Sequence, residues 1–216
     1  MKPEKLEGIV PEYHSKNPLI RGLFYWRIRR AIAISGVLKL SGGSVLDVGC
    51  GEGPLLERLH QRRPNIHLVG IDTHADTLSL SGRLPAEIEI YQMSLMETPF
   101  ERGRFDFLFC LDVLEHIEDL ESACLEIRRL LKPGGKLIVS APTESFFYRL
   151  GRFLTKGTWS EIEGPGAGPH LWDAGTLESF LLSHGFQLER KTKIPPLPLF
   201  DLFHINNYSP KESFRS

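Results

Sequence analysis

The stretch that decides the fold is SVLDVGCGEGP, residues 44–54. Val45, Leu46 and Val48 surround Asp47, and Gly49, Gly51 and Gly53 follow at every second position before a helical pattern starts at Pro54. This is the pattern of a buried strand running through a tight glycine turn into a helix. Such a turn brings backbone N–H groups and a helix N-terminus close to a bound molecule, because glycine has no Cβ to hold the ligand away.

Outward from that turn the pattern alternates. A strand at 44–48 is followed by a helix near 54–62, a strand IHLVGID at 66–72, a short helix near 74–81 and a strand EIEIYQ at 87–92. Strand FDFLFC at 105–110 comes next, then a helix near 118–131 with Leu120, Cys124, Ile127 and Leu131 on its apolar face, and strand KLIVSA at 136–141. Alternation of this kind gives an α/β fold, a parallel sheet with helices on both faces. Gly134 and Gly135, after Lys132 and Pro133, are expected to end the helix and turn it tightly into its strand. A helix at about 173–184 and a strand at 186–194 continue the rhythm.

The flanks differ from this core. Residues 1–40 read as a helical extension, with Ile20, Phe24, Ile28 and Ile32 on one face at four-residue spacing. Residues 142–172 hold FFYRLGRFLTKGTW and then EGPGAGPH, a glycine- and proline-rich stretch expected to form a mobile loop.

Composition limits the function. At 216 residues the chain is one ordinary domain with at most a small cap, and 41% hydrophobic with 25% charged residues is the profile of a soluble globular protein. A formal net charge of -1 provides no global basic field, so nucleic acid is not an expected partner. Cys50, Cys110 and Cys124 match no zinc spacing and read as reduced, buried thiols, with no metal expected. The N-terminus lacks the apolar core of a secretory signal, and Leu19–Leu40 carries Arg21, Arg27, Arg29 and Arg30, too many charges for a spanning helix. A cytoplasmic location is expected.

Three ligand classes use a glycine turn after a first strand. A P-loop needs Lys and Ser/Thr where this chain has Pro54 and Leu55. A dinucleotide fingerprint needs a small residue where this chain has Pro54. Asp72, at the end of the second strand, lies where a carboxylate reaches the hydroxyls of a ribose held over the turn. The expected ligand is therefore a ribose, as part of an adenosine.

The blocks VLDVGCGEG, VGID, FDFLFCLDVLEHI and LLKPGGKLIVSAP, in this order and separation, resemble class I S-adenosylmethionine-dependent methyltransferases over roughly residues 44–142. The nearest flavour is that of enzymes acting on quinone precursors and other small molecules. The resemblance implies a Rossmann-like, doubly wound, mostly parallel seven-stranded sheet, with an N-terminal helical extension at 1–40 and a methyltransferase domain at 41–216. Within that domain, 44–142 would bind cofactor, 143–172 would be a substrate cap or lid, and 173–216 would add the C-terminal helix and strands. The implied cofactor is S-adenosylmethionine, with Asp47 near its amino group, Gly49, Cys50 and Gly51 along its methionine part, and Asp72 with Thr73 at the ribose. The family often has an Asp after strand three where this chain has Ser94, so Ser94 and the Leu95 backbone take the adenine position. Cys110 and Leu111 would line the pocket mainly through backbone and packing.

Methyl transfer is an in-line displacement that needs alignment more than covalent help. A base matters only if the acceptor arrives protonated, as a hydroxyl does. Asp112, Glu115, His116 and His170 are the candidates. His116 is expected to begin a helix, either as a base or as a structural residue, and His170 to ride a lid hinged at Gly164, Gly166 and Gly168. The blocks FYWRIRR at 24–30 and FFYRLGRFLTKGTW at 146–159 either pack on the sheet with their arginines solvated or meet an amphiphilic acceptor or membrane interface. The expected reaction is therefore methyl transfer to oxygen or carbon of a small-molecule or lipid-like acceptor. The rivals are an RNA or protein methyltransferase and a non-catalytic nucleoside-binding regulator.

Overall fold

The computed structural model describes residues 11–74, 76, 79, 82–156, 170–196 and 201–212. Seven strands form one sheet: β1 (Gly43–Val48), β2 (Ile66–Asp72), β3 (Ile88–Gln92), β4 (Phe105–Leu111), β5 (Leu131–Pro142), β6 (Phe186–Ile194) and β7 (Phe203–Pro210). Their order is β3-β2-β1-β4-β5-β7-β6. The first five run parallel and β7 is antiparallel to both its neighbours. β1 lies between β2 and β4, and both its faces are buried in hydrophobic cores, which is why its sequence is nearly continuous in apolar residues. The order changes direction at β1 and β4, and the carboxyl ends of the parallel strands open there on a crevice of the kind that receives ligands.

Alternate residues of the strands feed two cores. On one face Leu46, Val48, Leu108 and Val139 pack with α3 (Leu120–Leu130) and α5 (Ala174–Ser183). On the other, Val45, Phe107, Phe109 and Ile138 pack with α1 (Pro18–Ser35) and α2 (Pro54–Arg62). The last helix, α4 (Phe146–Lys156), leaves the tip of β5. Asn17 caps α1 by accepting from Leu19 N at 3.0 Å, Pro18 opens it, and Gly36, at φ 81°, ends it. Ile28 and Ile32 are buried as the four-residue spacing requires, whereas Ile20 and Phe24 are only partly covered.

Three expectations shift. The helix read at 118–131 starts at Leu120, because Asp119 caps it by accepting from Ser122 N at 3.0 Å. It ends before Leu131, which pairs with Phe105, and Lys136 then pairs with Phe107. Residues 132–135 therefore loop out of β5, and Gly134 at φ 78° serves this bulge rather than the helix end. β7 escaped the periodicity altogether, because its buried positions include Asn206, Asn207 and Ser209. Asn207 Nδ2 donates to Ile34 O at 3.1 Å, which ties this polar strand to α1. The short helix read near 74–81 lies largely, and the glycine hinge at 164–168 wholly, outside the described residues. Among the described residues no helix is long and apolar enough to cross a membrane.

Candidate functional site

The glycine turn is closed on itself. Gly49, Gly51 and Gly53 have φ of 68°, 53° and 81°. Gly49 N and Cys50 N donate to Ile71 O at 2.8 and 3.1 Å, Gly51 N donates to Asp72 Oδ2 at 2.8 Å, and Gly53 N donates to Cys50 O at 2.9 Å. These N–H groups do not point at a ligand, contrary to expectation, so they form no phosphate cradle. The space taken up by absent side chains is also specific: a Cβ on Gly49 would sit 2.3 Å from Val113 Cγ2, and one on Gly53 would sit 2.4 Å from Leu84 Cδ1. The turn thus packs tightly against the segment that follows β4. Cys50 contributes backbone alone, since its Sγ faces Gly70 beside Leu56 and Ile90 in the core. Burial pushes the Cys50 and Cys110 thiols far above their ordinary range, and both remain protonated.

Two carboxyl groups stand beside the turn. Asp72 ends β2, its Oδ2 held by Gly51 N and its Oδ1 by His74 N at 2.8 Å. The group is fixed in place, and each oxygen keeps acceptor capacity for a hydroxyl. Asp47, 3% exposed in the middle of the sheet, has its carboxyl held well above the usual range by burial first and by the Asp72 charge second. A buried acid of this kind gains most from a cation placed against it. A diol acceptor at Asp72 and a cation acceptor at Asp47 fit the chemistry of an S-adenosyl ligand. Thr73 is exposed beside Asp72. Ser94 caps the 3-10 turn Leu95–Glu97 by accepting from Met96 N at 3.1 Å, and Leu95 is buried beneath it. Leu111 is half-buried at the tip of β4, and the Cys110 side chain is buried in the core.

The other half of the edge is built from distant residues. Asp112, at φ 60°, receives Ser140 Oγ at 2.6 Å and forms an ion pair with Arg27 Nη2. Arg27 is 3% exposed, and its guanidinium lies over the rings of Phe24 and Phe203 at 4.6 and 4.2 Å. Two readings are thereby corrected: Asp112 is committed to a structural pair rather than available as a base, and this arginine of FYWRIRR is buried rather than solvated. His116 ends the 3-10 turn Leu114–His116 instead of starting a helix. Its ring centroid is 5.0 Å from that of His170. Leu171 N donates to Glu115 O at 2.8 Å and Trp172 Nε1 to Ile117 O at 2.9 Å, so residues 170–172 are pinned to that turn.

Sequence reasoning missed Glu144. It stands two residues beyond β5 at φ 48°, and its Oε1 lies 2.6 Å from His170 Nδ1. The His170 side chain is 4% exposed. Nothing in the spacing links positions 144 and 170, so no local signal could have revealed the pair. Glu115, His116 and His170 bring one ligand atom each within 4.8 Å of one another, a donor set suited to a divalent transition metal. A cleft of about 980 Å³ at the opposite edge of the sheet, lined by Arg102, Lys132, Lys136 and Glu189, shares no residue with this site. Two of its lysines are already paired, Lys132 with Asp106 and Lys136 with Glu189.

Known proteins agree with this geometry. Residues 46–139 match the family described as a methyltransferase domain. A ubiquinone biosynthesis O-methyltransferase of Alkalilimnicola ehrlichii is 34% identical over 58% of this chain and 57% of its own length. That of Pseudomonas aeruginosa is 37% identical over 47% of this chain and 45% of its own length. The chain thus spans about half the length of the curated relatives it matches. Among solved structures, the N-methyltransferase NodS of Bradyrhizobium japonicum, bound to S-adenosylhomocysteine, superposes with a TM-score of 0.67 at 16% identity, over 94% of this chain and 92% of its own. The cyclase SpnF superposes at 0.64 with 19% identity, over 85% and 80% of the two chains, so the fold by itself leaves the reaction open. Over residues 46–139 the chain thus matches a methyltransferase domain, on a fold shared with solved S-adenosylmethionine-dependent methyltransferases.

Proposed function

We propose that the chain transfers a methyl group from S-adenosylmethionine to an oxygen of a small or amphiphilic acceptor. The observation that carries this reading is the glycine turn with its N–H groups closed off, set between the fixed Asp72 carboxylate and the buried Asp47. In this reading Asp47 receives the ligand's ammonium group, the backbone at 49–51 lies along its methionine part, Asp72 and Thr73 meet the ribose, Ser94 and Leu95 meet the adenine, and Leu111 closes the floor. S-adenosylmethionine supplies an electrophilic methyl on a sulfonium. The residues align the acceptor, exclude water and accept a proton at the His116–His170 end.

Oxygen is favoured because the curated relatives are O-methyltransferases and because two imidazoles and two carboxyl groups gather where a hydroxyl proton would leave. An amphiphilic acceptor, or contact with a membrane surface in the cytoplasm, is supported by Phe146 and Phe153 on α4, 67% and 39% exposed. The test is a transfer assay with methyl-labelled cofactor against metabolite and lipid extracts. The expected result is one labelled product, with the label on oxygen. Tight S-adenosylhomocysteine binding with no label transferred to any extract would make the protein a nucleoside-responsive binder instead.

A further inference from the structure

We infer that Glu144 is a positioning residue that holds the Nδ1 proton of His170, leaving Nε2 as the base for a hydroxyl acceptor. This inference rests on the methyl-transfer reading and deepens it, because a base of this kind serves an acceptor that arrives protonated, such as a phenol. The 2.6 Å contact between Glu144 Oε1 and His170 Nδ1 fixes one tautomer, in the way a carboxylate orients a catalytic imidazole. The ring is also immobilised by other means. Its side chain is 4% exposed, its neighbours Leu171 and Trp172 are tied to Glu115 O and Ile117 O, and the rings of His116 and Tyr148 lie 5.0 and 6.5 Å away. Glu144 itself adopts φ 48°, a left-handed conformation that an ordinary residue occupies only where its surroundings enforce it.

The step balances simply. As the acceptor oxygen bonds to the methyl carbon and the carbon–sulfur bond breaks, the hydroxyl proton passes to Nε2. Glu144 offsets the charge of the imidazolium, and the proton later leaves to water.

Nitrogen NMR of His170 and turnover with a panel of substituted phenols and catechols test this together. The wild type should show His170 protonated on Nδ1. Glu144→Gln should mix the tautomers and lower kcat tenfold or more, with the dissociation constant for S-adenosylhomocysteine unchanged. The groups facing His170 are Glu144 after β5, Glu115 and His116 on the 3-10 turn, and Tyr148 on α4. His170→Ala should lower kcat at least as far, again with S-adenosylhomocysteine affinity unchanged. Should Glu144→Gln fail to fold, Glu144→Gly suits the left-handed backbone, and added formate should restore part of its turnover.

An unchanged tautomer in Glu144→Gln, or an unchanged kcat in His170→Ala, would overturn the inference. So would turnover that EDTA abolishes and manganese restores, since His170 would then be a metal ligand. A wild type that binds S-adenosylhomocysteine but methylates no phenol overturns the hydroxyl class, whereas failure to bind it overturns the methyl-transfer reading.

Discussion

The two halves of the sheet's carboxyl edge are built in different ways. Over β1 and β2 the site is made of consecutive backbone: a glycine turn whose N–H groups end on Ile71 O, Cys50 O and Asp72, with small residues admitting Val113 and Leu84. Over β4 and β5 it is assembled from side chains that meet across the fold: Arg27 with Asp112 and Ser140, and His170 with Glu144. The first half is fixed by backbone shape, which few substitutions can preserve. The second is held by side-chain charge pairs, which can be exchanged without rebuilding the backbone. Specificity is therefore expected to reside in the second half.

The largest expected effect falls on the first half. Gly49→Val places a Cβ 2.3 Å from Val113 at φ 68°. Left-handed strain of about 1–2 kcal/mol and overpacking of about 1–3 kcal/mol should lower the urea midpoint sharply and abolish S-adenosylhomocysteine binding. A stable variant that still binds would mean the turn tolerates bulk. On the second half, Arg27→Met should cost about 3 kcal/mol, the lower end for one partner of a buried pair, because Asp112 is 26% exposed. Combining it with Asp112→Asn should recover much of that loss in the same urea titration. Cofactor affinity in the folded double variant should stay near wild type, and a matching loss of affinity would erase the distinction between the halves.

Two smaller effects sharpen the comparison. Asp72→Ala should weaken S-adenosylhomocysteine by roughly 1.5–3 kcal/mol, the range for hydrogen bonds to a charged group, or about tenfold or more, by calorimetry. Asp47 gives a pH signature. Its carboxyl is held above the ordinary 3.8, so the folded chain keeps a proton that the unfolded chain releases. The stability this contributes is complete below the ordinary value and is lost as pH rises through the raised one. The melting temperature of the wild type should fall across that window relative to Asp47→Asn, while affinity for a cationic ligand should rise.

How much was legible follows the same division. Strand and helix alternate in the sequence because each element buries its own face, and the turn from Gly49 to Gly53 and the acid at Asp72 are local patterns. The bulge at 132–135 was misread because two glycines after a proline look alike at a helix end and inside a strand. β7 was missed because its buried asparagines donate from Nδ2 to α1, α5 and a neighbouring tyrosine instead of presenting apolar side chains. Arg27 read as solvated because the ring that completes its cage, Phe203, and its partner Ser140, 113 residues away, come together only in the folded sheet. Glu144 was invisible for the same reason, 26 residues from the histidine it orients.

The central claim is that the crevice above β1 and β2 takes an S-adenosyl ligand. The most direct test is calorimetric titration of the chain with S-adenosylhomocysteine and, separately, with NAD. Saturable binding of one S-adenosylhomocysteine per chain, with no heat from NAD, is the predicted result. Tight NAD binding with no response to S-adenosylhomocysteine would contradict it.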